Sequence, residues 1–196
     1  MKIILESLHS MILTEQLSGV NVKKIFYILV PLSCVIAYCT IALYSLSESN
    51  IEDIIICSSN NETHYIPDGI CELYLLNYRA TENDIQFLET RSGLAFLFGI
   101  QNENKRYNYL EYFLSKGISI DALNSVDGLS PLHAAVVLND LKLVEYLLDK
   151  GASATQIDKN YGLTPLELLQ KLNVGNNPMD RDAIAKILSS ASDKSK

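Results

Sequence analysis

Residues 128–150 read GLSPLHAAVVLNDLKLVEYLLDK and run straight into GASAT. The same pattern starts 35 residues earlier at Gly93 and again 34 residues later at Gly162. Self-similarity at this period marks a stacked-repeat protein, in which each unit is too small to bury its apolar face alone. Within the unit spanning 127–160, Gly128 supplies a turn, Ser130 the helix N-cap, and Pro131 the first helical position, where a missing N–H costs nothing. Leu132, Ala135 and Val136 are expected to face inward from the first helix. Leu141, Val144, Leu147 and Leu148 form the apolar stripe of the second, and Gly151 ends it in the left-handed conformation.

The flanking units are less regular. The unit at Gly93 keeps Leu94, Leu97, Leu110, Phe113, Leu114 and Gly117 but has Phe96 where the proline should stand. The unit at Gly162 keeps Thr164, Pro165 and Leu166, then carries extra residues over 173–181 before Ile184, Ile187 and Leu188. Upstream, Asp68-Gly69-Ile70 parallels Asp127-Gly128-Leu129, and CELYLLNY and ENDIQFLE give two short helical patterns. With only 24 residues between Gly69 and Gly93, this reads as a shortened capping unit.

These residues resemble the ankyrin-repeat family over about 68–190. The resemblance implies an all-α, ankyrin-like helix-loop-helix solenoid of about three to four units, with projecting hairpin loops near 120–128 and 154–162. It implies binding through the loop tips and the exposed side of the first helices. Transferred by position, the candidate partner-binding residues are Asn124 and Ser125 in one loop and Gln156, Asp158, Lys159, Asn160 and Tyr161 in the next. Gln101, Asn102, Val137 and Leu138 come from the first helices. Leu138 is either an apolar contact or a residue packed beneath the neighbouring unit. Tyr112 matches Tyr146 in register, as a packing residue.

The other decisive segment is 25–46, IFYILVPLSCVIAYCTIALYSL, which holds no charged residue. A helix of 22 residues spans about 33 Å, enough for a bilayer core. Pro31 is tolerated in membrane helices more readily than in soluble ones. A buried core helix is rarely this long without a polar face. A signal peptide has a shorter apolar region, and Ser45-Leu46-Ser47 is a poor cleavage site. A lipoprotein reading at Leu32-Ser33-Cys34 leaves twelve apolar positions after Cys34. A single transmembrane helix therefore fits best.

Lys23 and Lys24 precede the span, and no Lys or Arg follows from Ile25 through Tyr78. Basic residues stay in the cytoplasm. The expectation is an inner (plasma) membrane, single-pass protein with a short cytoplasmic segment at 1–24 and a periplasmic or otherwise extracytoplasmic domain. Residues 47–67 read as a linker that packs locally against the domain and 191–196 as a polar tail. Segment 1–24 has Ile4, Leu8, Met11, Ile12 and Leu17 near helical spacing, and Asn61-Glu62-Thr63 fits a glycosylation pattern. Cys57 and Cys71 are the two cysteines of the soluble part. An oxidising compartment would let them close a disulfide; two separate buried thiols are the alternative.

From Glu48 onward there are 13 basic and 21 acidic residues, a net of −8. That balance argues against nucleic acid and anionic lipid as partners and suits a basic protein. His133 belongs to the Pro-Leu-His position of the resemblance, where imidazole bonds neighbouring backbone. His64 and His9 have no companions at ligand spacing, so no metal and no cofactor are expected. Ser130 reads as a cap rather than a nucleophile, and no phosphate loop is present. Neither an enzyme nor a small-molecule substrate is indicated. Small ankyrin-like domains on an amino-terminal anchor resemble bacterial toxin-immunity proteins. That likeness implies neutralisation of a secreted effector, for example a type VI phospholipase or other lipase toxin, by occluding it. The alternative is an envelope scaffold or stabiliser of a periplasmic enzyme.

Overall fold

The computed structural model describes residues 22–59, 65–174 and 180–194, and among these it is helical with no strand. It divides into two compact units, one ending at Glu48 and one starting at Ser49. The amphipathic pattern before Lys23, the Asn61 glycosylation pattern, His9 and His64 lie outside the described residues.

The first unit contains α1 (Val22–Glu48), 27 residues with Pro31 inside. It is long and apolar enough to cross a membrane. Three of its hydroxyls are satisfied within the helix. Ser33 Oγ donates to the Val30 carbonyl, Thr40 Oγ1 to Ala37 and Ser47 Oγ to Tyr44, at 2.7–2.8 Å. These hydroxyls thus need no outside partner, which is what an apolar solvent demands.

The second unit opens with α2 (Ile51–Ser59), α3 (Asp68–Tyr78) and α4 (Glu82–Arg91). The segment 47–67, expected as a linker packed locally on the domain, does pack there, and its described part is largely helix rather than irregular chain: α2 buries Ile51, Ile54, Ile55 and Cys57 and packs on both α3 and α4. Hydrophobic periodicity does not reveal this, because the run Ile54-Ile55-Ile56 carries no clear helical period among polar neighbours. Asp68-Gly69, against expectation, is not a turn like Asp127-Gly128. It is the first turn of α3, started after Pro67. A disulfide joins Cys57 of α2 to Cys71 of α3, with Cα atoms 5.8 Å apart.

Helix α4 begins at a reciprocal capping box between Thr81 and Asp84. Asp84 also holds Arg79 at 2.6 Å, and Arg79 Nη1 donates to the Ser49 carbonyl. Burial pushes the Asp84 carboxyl up, but Arg79 and the Thr81 N–H and hydroxyl outweigh it and leave it below its ordinary range.

Next comes a 3₁₀ helix (Leu94–Gly99), then α5 (Glu103–Ser115), α6 (Pro131–Val137), α7 (Leu141–Asp149), α8 (Pro165–Asn173) and α9 (Asp182–Lys194). The substitution of Phe96 for proline has a visible effect. With no capping hydroxyl and no proline, the first helix of that unit is 3₁₀ rather than α, and Gly93 enters it at φ 62°. In the next two units Ser130 and Thr164 cap α6 and α8, each with proline at the first turn.

The first helices stack as the 3₁₀ helix, α6, α8; α7 lies against α6, and α9 against α7 and α8. Their core is Leu94, Leu97, Leu110, Phe113, Leu132, Ala135, Val136, Val144, Leu147, Leu168, Ile184 and Leu188. On α7 Leu143 joins Val144 and Leu147 as fully buried, whereas Leu141 and Leu148 are only half-buried, so the apolar stripe sits slightly rotated from the expected one. On the outside, Lys142 pairs with Glu103 at 3.0 Å, Lys150 with Glu111 at 2.6 Å and Arg106 with Asp140 at 3.4 Å, linking α5 to the second helix of the next unit. Surface pairs like these set register more than stability.

Candidate protein-binding surface

The loops before α6 and α8 are built on one plan. Asn124 accepts from the N–H of Val126 and of Asp127 through Oδ1, both at 2.9 Å, and donates through Nδ2 to the Leu129 carbonyl. At the equivalent place Asp158 accepts from Asn160 and Tyr161 through Oδ1 and from Leu163 through Oδ2, at 2.6–2.9 Å. Backbone bonds close both loops, Asn124 N–H to Leu129 and Asp158 N–H to Leu163. Both residues are only 3% exposed. This corrects their assignment as partner contacts: they build the loops from inside. Burial alone would raise the Asp158 carboxyl, yet three N–H donors and the nearby His133 hold it below its usual range.

Consecutive loops are tied to each other. Ser125 donates through its N–H to the Arg91 carbonyl at 2.9 Å, and Lys159 does the same to Gly128. Asn160 Nδ2 adds a bond to the Asp127 carbonyl at 2.6 Å. His133 completes the frame. Its Nε2 sits 2.9 Å from the Leu163 carbonyl and its Nδ1 2.7 Å from Ser130 Oγ, which makes Nε2 the protonated nitrogen and Ser130 the donor to Nδ1.

Burial depresses the His133 pKa, against smaller opposing contributions from the Leu163 carbonyl, Asp158 and Asp127. The neutral ring is thus the folded form. Its contribution is complete above the unfolded pKa of about 6.5 and is lost as pH falls from there towards the folded value. We expect denaturant midpoints to drop between pH 7.5 and pH 5, and a His133→Gln variant to be weaker at both pH values with a smaller difference between them. Equal pH slopes for the two proteins would rule this out.

Between α6 and α8 lies a groove of about 370 Å³ lined by Leu129, Val137, Tyr161, Leu168 and Leu172, with the polar Lys171, Asp127 and Asn160 beside them. Tyr161 is 63% exposed and Val137 43%. Lys171 Nζ stands 4.4 Å from the centre of the Tyr161 ring, a cation–π contact that holds the ring upright. Among the sequence candidates, the groove brings together Val137, Asn160 and Tyr161. Leu138 caps the end of α6 with its side chain exposed, so it is not packed beneath the next unit. Ser125 and Lys159 are exposed at the loop tips, and Gln156 is half-buried beside exposed Ile157.

Gln101 and Asn102 are placed elsewhere. The 3₁₀ helix ends at Gly99, so neither lies on a first helix. Asn102 caps α5 by accepting from the Lys105 N–H, and Gln101 shares a shallow depression with Ile55, Ile56, Ser59, Phe96 and Ile100. Two groove residues absent from the sequence candidates, Lys171 and Leu172, stand 34 positions after Val137 and Leu138. The repeat period that singles out the first pair points equally to the second. Tyr112 and Tyr146 behave as packing residues: the Tyr112 hydroxyl donates to the Leu76 carbonyl at 3.1 Å, and Tyr146 meets Tyr107 edge-on.

No group of three or more His, Cys, Asp or Glu converges as a metal site among the described residues. Residues 70–193 match the family model described as ankyrin repeats (3 copies). No curated protein matches the chain.

Proposed function

Since the chain belongs to the ankyrin-repeat family, whose stacks are protein-binding modules, we propose that the groove between α6 and α8 is where it grips its partner. The observation that carries this is the pairing of solvent-exposed Val137 and Tyr161 across one concave, largely apolar groove on a braced frame. A few residues near the centre of a patch, tyrosine prominent among them, carry most interface energy, and the surrounding apolar contacts exclude water. Asp127 on one side and Lys171 on the other give the rim both signs of charge, which sets orientation rather than affinity.

We infer further that α1 is a membrane anchor and that the repeats face the extracytoplasmic side. The length and apolarity of α1, the lysines before it and the basic-free stretch after it support this orientation. A disulfide between α2 and α3 suits an oxidising compartment. On that side of a bacterial membrane, a non-catalytic binder fits the role of an immunity protein that occludes a secreted effector such as a phospholipase. An inhibitor of this kind must sit where the toxin acts. It needs only to cover a site.

The test is capture. Full-length protein solubilised from its own membrane is expected to co-purify a protein partner, identified by mass spectrometry. The Val137→Asp/Tyr161→Asp variant should lose at least about 100-fold in affinity, about 2.7 kcal/mol, most of it from the tyrosine. Its melting temperature should stay near that of the wild type. Undiminished capture would move the interface off this groove. A captured toxin whose killing is unaffected by deleting the gene would end the immunity reading and favour an envelope scaffold.

A further inference from the structure

The end unit of a solenoid normally turns a polar face to water, since no further repeat covers it. Helix α3 does the opposite. Its buried side carries Cys71 and Leu75, and Glu72 and Asp68 reach sideways to Lys105 Nζ at 3.0 and 3.7 Å. The side turned away from the core carries Ile70, Leu73, Leu76 and Tyr78. Leu73 is 64% exposed and Tyr78 69%. Tyr74 stacks on Tyr78 with ring centres 5.5 Å apart, and Asn77 spends its amide on the Leu73 carbonyl of its own helix. The outer face is an uncharged strip of leucine, isoleucine and tyrosine with Asn77 as its one polar amide.

Two considerations select what covers it. An 11-residue helix is about 16 Å long and about 10 Å wide, so two such faces would bury roughly 300 Å² together, well short of the ~1,000 Å² that a specific protein interface needs. Chain connectivity points to another surface. Only Ser49 and Asn50 separate the end of α1 from the start of α2, a reach of about 7 Å. Helix α3 is then clamped to α2 by packing and by the Cys57–Cys71 bond.

We propose that the outer face of α3 rests in the headgroup–acyl boundary of the bilayer, with Tyr74 and Tyr78 at headgroup level. Apolar side chains bordered by tyrosine suit that depth, where an amphipathic ring meets both phases. Because no Lys or Arg occurs between Ile25 and Tyr78, the attachment is apolar, gains nothing from anionic lipid, and on neutral lipid is insensitive to salt. The proposal rests on reading α1 as a membrane span.

The chain contains no tryptophan, so single substitutions report cleanly. Full-length Leu73→Trp, Ile36→Trp and Val174→Trp proteins would be reconstituted into phosphatidylcholine vesicles with and without bromine on the acyl chains. Ile36 lies within α1, and Val174 is exposed beyond α8. Leu73→Trp is expected to lose about half its emission to the brominated lipid, as for a side chain some 5–10 Å into the boundary, and equally so in 1 M salt. Val174→Trp should be unaffected and Ile36→Trp strongly quenched. Quenching of Ile36→Trp without quenching of Leu73→Trp would overturn this proposal and leave the anchor standing. The same outcome overturns it even if Leu73→Trp is shielded from aqueous iodide, since a second copy or another protein would then cover the face. An unquenched Ile36→Trp would remove the anchor and the proposal together.

Discussion

Replacing Asp158 with alanine is expected to lower the stability of the repeat unit by about 3 kcal/mol, or roughly 10 °C in melting temperature. The reason is local. Three backbone N–H groups, from Asn160, Tyr161 and Leu163, end on this one carboxylate. Alanine leaves all three without their acceptor beneath the surface, and a buried donor left unpaired costs about 1–3 kcal/mol. Asp158→Asn retains one acceptor oxygen and should fall between the two. Because the side chain is buried, partner capture at a temperature where the variant is folded should survive. Thermal melts paired with capture at low temperature separate the roles. A stable variant that fails to bind would restore Asp158 as a contact. The carboxylate's depressed pKa points in the same direction: its contribution is full above about pH 3.9 and is lost as pH falls through the lower folded value.

Removing the Cys57–Cys71 bond is the second change with a large expected effect. The two positions are 14 apart, and closing a loop of that size restricts the unfolded chain by about 3 kcal/mol. Helix α2 has only nine residues and draws its stability from packing on α3 and α4. The double variant Cys57→Ser/Cys71→Ser, or the reduced wild type, should therefore melt about 10 °C lower. Amide exchange should rise first in α2 and α3, while α6–α9 stay protected longer, since stability in a solenoid passes between neighbours. Alkylation under denaturing, non-reducing conditions should label only Cys34 and Cys39. Labelling of all four cysteines in protein from its native membrane, or an unchanged melt after reduction, would remove the bond from the account.

The central unit is readable from sequence because each of its signals is local. A hydroxyl before a proline, an apolar stripe at helical spacing and a terminal glycine each act within one turn or one face. Ser130, Pro131 and Gly151 do what those positions imply. The groove is half legible. Val137 and Tyr161 follow from position in the repeat, but Asn124 and Asp158 resemble contacts, because polar side chains in loops look alike in sequence whether they point out or fold back on their own backbone. The amino-terminal cap is the least legible part. Its helix α2 is specified by what it packs against, with Lys105 reaching from α5 to the Ser58 carbonyl at 2.6 Å across 47 positions. No window of local sequence contains such information.

Gly128 carries a consequence for how the module evolves. At φ 69° it sits where a Cβ would come within 3.0 Å of the Asn160 side chain and of Lys159 Cβ. The hydrogen at this position is thus a shim of minimal thickness between successive turns, and it fixes the pitch at which one loop follows another. Any larger residue would push against Asn160 and Lys159, wedge the two walls apart and change the mouth's width. Loop-tip residues are free to drift towards a new target, whereas the pitch that spaces them is not.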